Sequence, residues 1–120
     1  MKKKKPIVQN NNTEKIHFYM AHSRSYEIVK KEDKLLKCAF ADFFFQKSQL
    51  TWQDFSKMSY SCGGFEKCAD DMIKKIPNVV LPEKETVLNS TKLDQKYRII
   101  FSRNEKIMVI HYISNHYGDH

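Results

Sequence analysis

Glycine, proline and cysteine are scarce in this 120-residue chain, at three each, and each shortage excludes something. Two of the glycines are adjacent, Gly63 and Gly64, ahead of Phe65-Glu66-Lys67. That pair could turn the chain into a helix, but it lacks the remaining elements of a phosphate-binding loop. Cys38, Cys62 and Cys68 form an odd set with no Cys-x-x-Cys spacing. They read as reduced cytosolic thiols before they read as a disulfide framework or a zinc site, with a Cys62–Cys68 bridge left open. Long apolar runs are missing as well. Stretches such as Ala39-Phe40-Ala41 and Phe43-Phe44-Phe45 are split by Asp42 and fall far short of the roughly 20 residues a membrane helix needs. Lys2 to Lys5 have the charge of a secretion signal, yet Ile7-Val8 runs straight into Gln9-Asn10-Asn11-Asn12 with no apolar segment between. A cytoplasmic protein without a membrane partner is expected.

What is present suffices for one core. Hydrophobic residues make up 41% and aromatics 12%, with eight Phe and six Tyr, in a chain of single-domain length. Residues 1–14 are polar and charged and read as a disordered basic tail, leaving 15–120 as one α+β domain. Lysine and arginine number 21 against 14 acids, for a net charge of +7. Without Lys2 to Lys5 the balance is 17 against 14, or +3. Such a body gives little reason to expect nucleic acid, while the tail would supply only salt-sensitive attraction. Richness in lysine, isoleucine and asparagine is the composition of an AT-rich bacterial or phage genome.

Residues 15–23 alternate, with Ile16, Phe18 and Met20 on one face, and predict a strand. From about Glu32 to Gln49, Leu35, Leu36, Ala39, Phe40, Phe43 and Phe44 recur at helical spacing, with Lys30, Lys31, Lys34, Lys37 and Lys47 on a solvated face. Thr51 and Asp54 carry the signature of a capping box opening a short helix over 52–58. Phe65, Cys68, Ala69, Met72, Ile73 and Ile76 predict a helix over 64–76, stopped by Pro77. Val79-Val80-Leu81 and Thr86-Val87-Leu88 are candidate short strands. Strands over 97–102 and 106–114 should pair around a turn at 103–105, the second carrying Ile107, Val109, His111 and Ile113 on one face. The expected architecture is a small antiparallel sheet with two main helices, 31–49 and 64–76, on one face. Phe40, Phe43, Cys68, Met72, Ile73, Ile99, Val109 and Ile113 should be core.

Candidate chemistry gathers at the C-terminus. Cleavage of RNA through a 2′-hydroxyl needs a base, an acid and a cation for the phosphorus-centred charge. His111 or His116 could be acid or base, Tyr117 or Tyr112 a partner, and Arg98 the clamp. The bland alternative for His111, on an apolar strand face, is a hydrogen-bonded core histidine. Antiparallel pairing should set Arg98 roughly opposite His111. Lys67, Arg103 and Lys106 are candidate nucleic-acid contacts. His111, His116 and His120 with Asp119 match no zinc spacing, so no metal or cofactor is expected. Trp52 and Phe55, beside Phe40 and Phe44, could stack bases, although helical spacing makes them core.

From Thr51 onward the chain resembles a group of small uncharacterised bacterial proteins. The shared pattern is a Thr-Trp segment, Gly64-Phe65-Glu66-Lys67, Ile76-Pro77, a strand arginine and a terminus rich in His, Tyr and Asp; the group implies no activity. At the level of architecture the chain also resembles the RelE/ParE/HigB toxin superfamily of small, basic bacterial toxins, many of them ribosome-associated mRNA endonucleases. That resemblance implies an antitoxin partner and an mRNA or ribosome target. It places Arg98 at the strand arginine and His116 or Tyr117 at the C-terminal acid or base. The alternative is a non-catalytic binding module for a protein partner or nucleic acid, of phage or mobile-element origin.

Overall fold

The computed structural model describes residues 13–22, 34–94 and 96–115; most of the expected tail, with His116 and Tyr117, lies outside them. The chain forms β1 (His17–Met20), α1 (Lys34–Ser48), α2 (Trp52–Lys57), β2 (Phe65–Lys67), α3 (Asp70–Lys74), β3 (Asn89–Lys92), β4 (Tyr97–Asn104) and β5 (Ile107–Asn115). Single 3₁₀ turns occupy Tyr60–Cys62 and Asn78–Val80. The strands make one sheet in the order β1-β5-β4-β3-β2. It is an α+β fold, but the sheet is mixed rather than wholly antiparallel, because β1 runs parallel to β5.

The front of the sheet is built as the periodicity of α1 dictates. Leu36, Phe40 and Phe43 enter the core with Ile99, Phe101, Met108, Ile110 and Ile113. The capping box closes as expected: the Thr51 hydroxyl accepts from the Asp54 amide at 3.1 Å, and the Asp54 carboxylate accepts from the Thr51 amide at 3.2 Å. These bonds also hold the Asp54 carboxyl below its ordinary value. The box starts α2 so that Trp52 and Phe55 point inward. Phe55, Phe65 and Phe101 then pack ring on ring, with Phe55 and Phe65 centroids 4.6 Å apart.

The helix expected over 64–76 does not form. Thr91 draws this segment to the sheet, its hydroxyl donating to the Gly64 carbonyl at 2.8 Å while Phe65 pairs with Thr91 in the ladder. Gly63 turns the chain at φ 99°, and a side chain on Gly64 would strike the Met58 carbonyl at 2.1 Å. The chain then wraps the sheet edge. Phe65 packs on the front, whereas Cys68, Ile76, Val80 and Leu88 meet Ile100 behind, with Met72 and Ile73 half-buried against them. The apparent helical repeat is one chain touching two cores in turn, and only Asp70–Lys74 of it is helical. The second helix on the front face is therefore α2, and α3 belongs to the back. Val79-Val80 lies in a 3₁₀ turn, and the expected strand over 86–88 forms three residues later as β3. Of the expected core, Phe40, Phe43, Cys68, Ile99 and Ile113 are buried and Val109 is half-buried.

Lys47 also departs from expectation. It lies four residues after Phe43, on the core stripe rather than the solvated face, and is only 6% exposed. Its ammonium donates to the Gly63 carbonyl at 2.9 Å and sits 5.8 Å and 5.6 Å from the Phe43 and Phe55 ring centres. Burial lowers its pKa from the ordinary 10.5.

Two outcomes follow. Phe101→Ala should cost about 3–5 kcal/mol in denaturant unfolding, against less than about 0.5 kcal/mol for Phe45→Ala, since Phe101 is 0% exposed and Phe45 70%. Between the lowered native pKa of Lys47 and the ordinary 10.5, the unfolded chain holds the extra proton, so this group makes stability rise with pH. Lys47→Met should flatten that rise, read as thermal midpoints from pH 7.5 upward, without loss of stability at neutral pH.

Candidate functional site

The β4–β5 pair carries the residues that chemistry would use, and a bulge decides where they point. Ile100 pairs with Tyr112 but Phe101 pairs with Ile110, which leaves His111 as the extra residue on β5. Alternation therefore breaks at this point. Met108 and Ile110 face the front, and Ile113, not Tyr112, is the next residue to do so. His111 is thereby parted from Ile113, with which strict alternation groups it. Apolar Ile113 gains the front core, and His111 goes to the back beside Ser102.

There His111 is 6% exposed and Ser102 7%, and the Ser102 hydroxyl lies 2.8 Å from His111 Nε2. Burial, followed by the nearby His22, lowers the His111 pKa; the two rings are centred 6.0 Å apart. A histidine ring nitrogen hydrogen-bonded to a serine hydroxyl is the arrangement of a nucleophile–base pair. Here both groups are enclosed within the sheet, where the bond satisfies two polar groups that burial would otherwise penalise.

Arg98 lies elsewhere on the same face. It pairs with Ser114 and Lys92, not with His111, which the register sets about 10 Å farther along β5. Two features explain this: the turn comprises Glu105 and Lys106, centred one and a half residues beyond the expected centre, with Glu105 at φ 57°, and the bulge at His111 adds one more residue. Half-buried Arg98 faces the surroundings of Cys68. That thiol is pushed up to about 11 by burial, although Arg98 and the Ser90 hydroxyl both favour the thiolate. It is a neutral core thiol, and all three cysteines are free. His116 and Tyr117 follow directly on Asn115, the partner of Tyr97.

The candidate nucleic-acid contacts occupy the other end. Arg103 is five residues from Arg98, about 17 Å along a strand, and on the opposite face. Its guanidinium stacks 4.5 Å from the Trp52 ring centre, and its Nε donates to the Glu105 carbonyl at 2.6 Å. Lys106 is half-buried in the turn and Lys67 exposed on edge strand β2. Trp52 and Phe55 are core, and Gly64 leads into a strand, so neither a base-stacking platform nor a helix N-terminus for phosphate arises. A shallow apolar depression of about 180 Å³ is lined by Ile73, Leu81, Pro82, Glu83, Lys84, Thr86 and Leu88. It is smaller than the roughly 300 Å³ at which ligand pockets begin.

No protein-family model, curated protein or solved structure matches this chain.

Sequence reasoning missed the Ser102–His111 pair because both faces of β5 are largely apolar, so a change of face leaves no mark on its pattern, and because Ser102 pairs with Val109 in the ladder rather than with the histidine. The unfolded chain takes up a proton near the ordinary histidine value of 6.5, whereas native His111 resists until lower pH. Stability from this residue is thus complete above 6.5 and falls as pH drops toward the native value. Thermal midpoints of the wild type should fall more steeply from pH 7.5 to 5.5 than those of His111→Gln.

Proposed function

We propose that this domain is a non-catalytic binding module that recognises a protein partner. The Ser102–His111 bond supports this most directly, since it commits the described histidine candidate to the interior of the sheet. Surface chemistry agrees. Tyr19, Phe45, Val79 and Val87 are large apolar side chains more than half exposed, dispersed over β1, α1 and the segment between α3 and β3 and open to a protein partner. The charge outside Lys2 to Lys5, 17 bases against 14 acids, gives little attraction for nucleic acid. Such a module suits a phage or mobile-element origin.

One observation favours a second reading, an mRNA endonuclease toxin held by an antitoxin. β5 ends at Asn115 opposite Tyr97, the neighbour of Arg98, and runs straight into His116 and Tyr117. Inducible expression in a bacterial host, with and without the adjacent reading frame, separates the two. The binding module should leave growth and bulk mRNA unchanged in both strains. Growth arrest relieved by the neighbour, and lost in Arg98→Ala and His116→Ala at an unchanged thermal midpoint, would put the toxin in its place.

A further inference from the structure

β1 is an edge strand whose outer side, among the described residues, is partly covered and partly open. The His17 amide donates to the Lys106 carbonyl and the Ala21 amide to the Ile110 carbonyl, each at 2.9 Å. Residues of a parallel strand bond a given neighbour alternately, so His17, Tyr19 and Ala21 face β5. The amides and carbonyls of Phe18 and Met20 face away. Just before them the outer side is occupied: the Ile16 amide donates to the Leu50 carbonyl at 3.1 Å, and Lys15 bridges Thr51 in antiparallel sense. From Phe18 onward no described residue continues that bridge. The segment His17-Phe18-Tyr19-Met20 also lacks the proline, lysine or bulge that commonly blunts an edge.

Above this edge runs one flank of α1. The Phe18 ring meets Phe44 edge-on at 4.8 Å, and helical spacing puts Lys37, Ala41 and Ser48 on the same flank as Phe44. Ala41 and Ser48 are the small residues of this flank, Ala41 exposed and Ser48 half-buried. Lys34 and Lys37, both exposed, stand on this flank at the end nearer Met20, since the opposite end of α1 leads into the Leu50–Ile16 contact. Asp42 points to the other side of the helix. At the far end Lys15 donates its ammonium to the Gln49 carbonyl at 2.6 Å.

We infer that β1 and the Phe44 flank of α1 form a docking groove for an extended peptide segment of a protein partner, which joins the sheet as a sixth strand. The open backbone groups specify an extended main chain. Phe18, Met20 and Phe44 specify apolar side chains on its front face, and Lys34 with Lys37 specify acidic residues at the end beyond Met20. This inference rests on the binding-module reading and names the class of partner.

The test uses the full chain and a labelled seven-residue peptide alternating valine and glutamate, followed by fluorescence anisotropy. Saturable binding is expected with a dissociation constant of about 10–100 μM. The valine–lysine counterpart should not bind, and Lys34→Glu with Lys37→Glu should weaken binding at least about tenfold. Methylating alternate peptide amides should abolish binding in one parity and spare it in the other, because only every second amide bonds the edge. Met20→Pro removes an outward amide together with the Met20 side chain and should abolish binding, whereas Met20→Ala, which keeps the amide, should only weaken it. Binding indifferent to methylation and to the lysine changes, or no binding, overturns the groove. So does a single-stranded RNA oligonucleotide that binds in the peptide's place and loses affinity with the same lysine changes. The binding-module reading fails separately, through RNA cleavage or growth arrest.

Discussion

β4 is covered on both faces, and the rest of the domain is arranged to provide that cover. Tyr97, Ile99, Ile100, Phe101 and Ser102 are all buried, with odd residues facing α1 and α2 and even ones facing the segment from Cys68 to Leu88. A single helical layer would leave Ile100 against water. The chain between β2 and β3 therefore crosses to the back, where α3 and a 3₁₀ turn suffice because the area to be covered is small. Burial on both sides also dictates the polar chemistry. Ser102 cannot reach solvent, so it needs a partner within the sheet, and the bulge supplies His111.

That bulge reconciles two demands on β5. The strand must place Met108, Ile110 and Ile113 on the front, a spacing that strict alternation forbids, and must send its histidine behind. One additional residue satisfies both at the cost of one interrupted rung. Lys47 plays a comparable part at the junction of the helices, where its ammonium fastens the end of α1 to the Gly63 turn between two aromatic rings. In both places a polar group is retained inside the domain because its hydrogen bond joins two segments that apolar packing alone would leave less closely defined.

The parts legible in the sequence were those governed by local rules. Helical spacing placed α1, the Thr51–Asp54 pair placed the start of α2, and two alternating runs placed the β4–β5 pair. The parts that were not legible depended on contacts distant in sequence. Phe65 through Ile76 satisfies a helical template, yet the bond from the Thr91 hydroxyl to the Gly64 carbonyl and the pull of two separate cores outweigh local preference. The direction of β1 could not be read because alternation is the same in parallel and antiparallel strands. For the candidate site, Arg98 was placed on the correct face, but its partner was misjudged by the length of a turn. His111 fell to the bland reading of a core histidine, for a reason visible only once Ser102 stands beside it.

The pairing of β1 with β5 joins His17 to Ile107 across most of the chain. The other pairings, by contrast, link strands that follow one another from Phe65 onward. Closing the long loop costs more chain entropy than forming any hairpin of the meander. The C-terminal four strands can thus associate as sequence neighbours, whereas β1 requires the longest closure. β1 is nonetheless seated through the interior as well as along its edge: Ile16 beside it is 3% exposed, and Phe18 and Met20 pack on the front core, so the strand that needs the longest closure is also tied to α1 and the core behind it.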